Sequence, residues 1–188
     1  MVSGTTCEND NQPSELLSAT FTTPPFTAPY AISGPIGATV WVSSTATDAQ
    51  VIATISDVDP SGAASQITSG TLVASLRALT ATSCGSIVAD CSVYAGGQLV
   101  EPWHPYTRAS QTPLTPGTPT PLQIEIFPTT AVIEPGHALR VTISTGDFPH
   151  ETSTLSTTLG SAGVDTLYLG SDHPSSIYVS TVSPAPAS

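Results

Sequence analysis

Between Ala138 and Ser144 apolar and polar residues take turns: Leu139, Val141 and Ile143 alternate with Arg140, Thr142 and Ser144. A period of two puts one set against a core and the other in water, which marks a half-buried strand. Leu122 to Ile126 repeats the pattern, with Gln123 and Glu125 on the wet face. Ala38 to Ala46 alternates around Val40 and Val42, and Trp41 within it is read as core. Val51 to Ile55 reads as a more fully buried strand. Further strands are predicted at Leu16 to Phe21, Thr71 to Leu79, Val164 to Leu169 and Ile177 to Val182.

Prolines and glycines fall mostly between these runs, as at Pro24-Pro25, Gly34-Pro35, Asp59-Pro60-Ser61-Gly62 and Pro135-Gly136. Proline cannot donate to a ladder and glycine reaches positive φ, so these positions are read as turns. No long amphipathic helical window survives them. Pro113 to Pro121 is a stiff extended connection, too short to be a domain linker. Many short strands with regular turn signals predict an all-β sandwich or barrel. Residues 15–188 are assigned to one such domain, and residues 1–14 to an extension or linker from an upstream domain.

Only 9% of the residues are charged, against about 25% in an average domain. Serine and threonine fill the gap, and Leu, Ile and Val stay frequent enough for the chain to fold. The cationic side chains are Arg77, Arg108 and Arg140, with no lysine, and the net charge is −11. Such a surface repels polyanions and anionic headgroups, which argues against nucleic acid and membrane partners. No apolar run reaches the roughly 18 residues of a membrane span. Met1 to Thr6 lacks the basic and apolar regions of a signal peptide, so an export signal would lie outside this sequence.

Cys84 and Cys91 bracket a six-residue loop without zinc-type spacing. They are either two buried thiols or, as expected here, a local disulfide of a secreted, extracellular protein. Cys7 is then unpaired within the chain or bonded to a cysteine upstream.

Candidate chemistry is sparse. No Gly-x-Ser-x-Gly elbow exists, and Gly160-Ser161-Ala162-Gly163 is one residue short of it, so no catalytic residue is assigned. His104, His137, His150 and His173 show none of the local pairings zinc prefers, and no metal or cofactor is expected. Asp57-Val58-Asp59-Pro60-Ser61-Gly62 could open a calcium loop but lacks further acidic ligands, so it is read as a turn. Trp103-His104-Pro105-Tyr106 stands outside the alternation. Together with Arg108 it either closes the domain's own core or forms an interdomain contact through Trp103, His104, Tyr106 and Arg108.

Read in order, these segments resemble one family. Gly34-Pro35 leading to Ala38-Thr39-Val40-Trp41-Val42-Ser43-Ser44, and Ile55 to Gly62, are similar to the C-terminal domain of the X-Pro dipeptidyl-peptidase and cocaine-esterase (CocE/NonD) group of serine hydrolases. Ile67 to Arg77, Pro102 to Arg108, Ile126-Phe127-Pro128-Thr129, Pro135 to Val141, Asp147-Phe148-Pro149-His150 and His173-Pro174-Ser175-Ser176 continue the likeness. It implies a jelly-roll β-sandwich of the galactose-binding-like type, following an α/β-hydrolase catalytic domain in one polypeptide. In that family the triad lies in the catalytic domain, and the jelly roll packs on it and helps shape the substrate site. The catalytic part is absent here, so no triad residue carries over, and an X-Pro peptide or an ester substrate are equally open. The rival readings are a free-standing extracellular binding module, for carbohydrate or another ligand, and a purely structural cell-surface sandwich.

Overall fold

The computed structural model describes residues 18–80, 91–145 and 162–182. Its regular structure among these is ten strands and two single-turn 3-10 helices. β2 (Tyr30–Ser44) is the hub of one antiparallel sheet. β7 (Thr120–Ile133) runs along one edge of it, while β9 (Asp165–Tyr168) and β10 (Ser176–Thr181) follow each other along the other. The second antiparallel sheet has the order β1 (Ala19–Thr22), β8 (Ala138–Ser144), β3 (Gln50–Val58), β4 (Ala64–Val73). With β1 on β8 beside β3, and β2 on β7 in the facing sheet, the chain has the nested pairing of a jelly-roll sandwich.

Alternation decides which side chains meet between the sheets. Ile36, Ala38 and Val40 on β2 are in register with Ile126, Ile124 and Leu122 on β7, and all are buried. Val51 and Ile55 of β3 and Leu72 of β4 join the same cluster. Each such aliphatic side chain contributes about 1.5–3 kcal/mol on full burial. Along one side the sandwich is sealed by β4 meeting β7, where Thr68 donates to the Phe127 carbonyl at 2.8 Å. Along the other, Phe21, Val141 and Ile143 face Leu167 and Ile177 across an apolar cavity of about 190 Å³.

β8 occupies the predicted residues, and β1, β9 and β10 overlap theirs. Four readings change. β2 begins at Tyr30 rather than Ala38, because Gly34-Pro35 is not a turn: the register steps between Gly34 and Ile36, and Pro35 sits at a bulge where its missing N–H costs no ladder bond. β7 likewise runs past both Pro121 and Ile126. β4 spans Ala64–Val73 instead of Thr71 to Leu79. It stops where the Asp48 carboxylate accepts from the Ser75 N–H (2.8 Å) and hydroxyl (2.6 Å), bending the chain into the 3-10 turn Ala74–Leu76. Trp41 is not core: Val40 and Val42 take the inner face, which leaves Trp41 on the outer one, half-buried against the His173 ring at 4.8 Å.

Between β4 and β7 the chain leaves the sandwich. The hairpin of β5 (Val93–Ala95) and β6 (Gln98–Glu101), turning at Gly96-Gly97, lies across the outer face of the β2 sheet. Gly37 makes this possible, since a Cβ there would stand 2.8 Å from the Val100 carbonyl oxygen.

Candidate functional site

The segment after β6 is fastened from beneath and open above. Pro102 is buried. The Trp103 N–H donates to Ser92 Oγ at 3.0 Å, and its carbonyl accepts from the Thr80 N–H at 3.0 Å. His104 is 1% exposed, with Nδ1 at 3.2 Å from the Ala78 carbonyl oxygen and Nε2 at 2.8 Å from that of Gln123 on β7. Both partners are acceptors, so a neutral ring donates to one of them and only a doubly protonated ring to both. Either way His104 rivets the segment to the sheet.

What this leaves at the surface is aromatic and charged. Trp103 is 38% and Tyr106 54% exposed. Tyr106 has φ +49°, a left-handed conformation that a bulky residue adopts only when its surroundings impose it. Its ring lies 5.4 Å from that of His104. Thr107 then caps a short 3-10 helix, Arg108–Ser110, in a reciprocal box with Ser110, and Arg108 is exposed. Of the four residues proposed as an interdomain contact, the structure therefore places Trp103, Tyr106 and Arg108 at the surface and His104 beneath them.

Two carboxylates that the sequence did not single out border this segment. Glu125 faces outward from β7, opposite Gly37, and is half-buried rather than wet. Burial, and then the nearby Glu101, hold its carboxyl above the ordinary range. Burial and the Glu125 charge likewise raise the Tyr106 phenol.

The remaining candidates are structural. Asp59 accepts from the Ser61 N–H and hydroxyl and the Ala63 N–H, which closes the expected turn. Those bonds, the Ser61 hydroxyl foremost, lower its carboxyl. Asp57 pairs with His137 at 2.9 Å. His173 packs on Trp41 and Tyr168. None of these three histidines, His104, His137 or His173, hydrogen-bonds a serine hydroxyl, and no cluster of metal-ligating groups occurs among the described residues. Among those residues, too, no helix is long and apolar enough to cross a membrane. Cys91 is buried. Cys7, Cys84, His150 and the Gly160-Ser161 half of the near-elbow lie outside the described residues.

The described residues thus form a two-sheet jelly-roll sandwich that carries a hairpin and the Trp103 segment on one outer face. Residues 4–178 match the X-Pro dipeptidyl-peptidase C-terminal non-catalytic domain, and the chain belongs to that family. It is similar to a candidate serine esterase of Mycobacterium bovis, 28% identical over 149 residues, covering 79% of this chain and 22% of that protein. A Mycobacterium tuberculosis relative matches to the same extent. The chain thus spans about a fifth of the length of these relatives. Among solved structures, a CocE/NonD family hydrolase from Staphylococcus aureus shares the fold at TM-score 0.67 and 19% identity, over 88% of this chain and 30% of that one. An α-amino acid ester hydrolase does so at 0.65 and 17%, over 92% and 27%.

Proposed function

We propose that this chain is the accessory domain of an exported α/β-hydrolase, packing on the catalytic domain of the same polypeptide and helping to shape its substrate site. The match to a non-catalytic C-terminal domain over residues 4–178 carries the reading. The small share of the relatives' length that the chain covers supports it, since most of a relative lies outside the matched part. The docking segment is Trp103 to Arg108. Its exposed Trp103, Tyr106 and Arg108 are the residue types enriched at interface centres, and the His104 rivet and Pro105 reduce the ordering cost of docking. Export goes with a disulfide proposed for Cys91, whose side chain is buried. Cys84 is the proposed partner, across the short loop.

The test uses the chain alone and its full-length parent. A fluorophosphonate probe is expected to label the parent and leave this chain unlabelled. Trp103→Ala and Tyr106→Ala are expected to lower the parent's melting temperature or activity while leaving that of the isolated chain nearly unchanged. Specific labelling of a serine in this chain, or an equal loss of stability in both forms, would overturn the proposal.

A further inference from the structure

We infer that the catalytic part presents an arginine side chain to the face formed by Glu101, Trp103, Tyr106 and Glu125. This rests on the docking proposed above and adds the chemistry of the docking group.

Strand register places the carboxylates. Gly37 and Glu125 are directly opposed on β2 and β7, and the Val100 carbonyl lies over Gly37, so Glu101, the next residue, is delivered beside Glu125. Outward alternation along β7 then extends the face to Phe127, which is 70% exposed. Burial, and then repulsion from Glu101, raise the proton affinity of Glu125.

Among the described residues no cation is paired with either glutamate: Arg108 is exposed two residues beyond Tyr106 and forms no ion pair with them. Arg77 donates to the Ala74 and Thr112 carbonyls, and Arg140 to Thr22 Oγ1 on the other sheet. The two His104 nitrogens are turned to main-chain carbonyls rather than to the carboxylates. His137 pairs with Asp57, and among the described residues neither Glu101 nor Glu125 takes part in an ion pair. A half-buried anionic pair that no cation of the described residues pairs with is complemented by a positive charge on the docking partner.

Carboxylates flanked by exposed aromatic rings suit a guanidinium better than an ammonium. Its planar fork bonds carboxylates while its face stacks on an aromatic ring. The left-handed backbone at Tyr106 sets its exposed ring 5.4 Å from that of His104 and near enough to Glu125 that the carboxylate, after burial, raises its phenol. Strain of this kind persists where the surroundings over-determine it.

The decisive variant is Glu101→Gln with Glu125→Gln, measured in both forms. In the isolated chain it removes a repulsion and is expected to raise the melting temperature. In the parent it removes the arginine's partners and is expected to lower it, by an amount that shrinks as salt is added. Carboxyl footprinting with carbodiimide and glycine ethyl ester is expected to label both glutamates severalfold less in the parent than in the isolated chain. A rise in melting temperature in both forms overturns the inference. So does unchanged labelling of Glu101 and Glu125 while other carboxylates become protected, and that result leaves the docking proposal standing on another face. If no carboxylate is protected in the parent, both fall.

Discussion

Gly70 on β4 lies against the main chain of Glu125 on β7, so closely that a Cβ on Gly70 would run into the Glu125 carbonyl and stand 2.8 Å from the Ile126 Cα. The obstacle is backbone on a paired strand and cannot swing aside. Gly70→Ala is therefore expected to force the two sheets apart where they seal. The cost is about 3 kcal/mol, a fall in melting temperature of roughly 6–12 °C. An unchanged thermal midpoint would show that this seam yields more readily than the packing implies.

His104→Ala removes the rivet between the outer-face segment and β7. It leaves the Ala78 and Gln123 carbonyls without that donor and opens a cavity where the ring was fully enclosed. A loss of about 3 kcal/mol is expected in the isolated chain by chemical denaturation. Trp103→Ala, at an exposed neighbour, should differ from it sharply. Equal losses at the two positions would mean that the whole segment is core.

The sandwich was legible because β8 and the centre of β7 show a clean period of two and Val51 to Ile55 of β3 reads as a buried strand. The start of β2 was not, since a bulge tolerates Gly34-Pro35 and local turn chemistry cannot reveal that the register resumes at Ile36. The β5–β6 hairpin carried its signal in Gly96-Gly97 between Tyr94 and Leu99, a pairing of flexible residues between short apolar runs. The family, and with it the non-catalytic role, was legible in the order of the segments. The Trp103 segment stood out by composition, but the burial of His104 depends on carbonyls at Ala78 and Gln123, distant in sequence. Alternation placed Glu125 correctly on the outer face; only tertiary structure covers that face.

Glu125 sets a pH dependence. An acid whose proton is held more tightly in the folded chain favours the folded chain at low pH. That contribution is lost as pH rises through the folded-state titration, which here lies above the ordinary glutamate range. Glu125→Gln keeps the shape and cannot ionise. The variant is expected to gain stability over the parent sequence as pH goes from about 4 to about 7. Denaturation at the two pH values checks it, and a constant difference would place Glu125 in an unstrained, solvated site.

Ser56 is fully buried on β3 with its hydroxyl unpartnered. Ser56→Ala deletes that group without leaving a large void. Stability is expected to hold or to rise by about 1 kcal/mol. A clear loss would mean that the hydroxyl is satisfied in solution, as by a buried water.

The Cys84–Cys91 bridge should appear in non-reducing peptide maps of exported protein. Closing so short a loop is worth about 2 kcal/mol, so reduction should lower the thermal midpoint modestly. Recovery of both cysteines as alkylatable thiols would sink it.

The hub position of β2 has a consequence for synthesis. Both of its edges are completed by strands made late: Tyr30 meets Ile133, and Ile32 meets Thr181. The β7 partner is translated about a hundred residues after β2, which at cellular elongation rates is a wait of roughly 5–20 s. Throughout that interval a long alternating strand stands with neither edge paired, the condition in which chains add to one another. The uncharged hydroxyl-rich flanks and the proline at position 35 therefore serve the nascent chain before they serve the sandwich, and a chain cut short before Ser176 would carry β2 with part of one edge open.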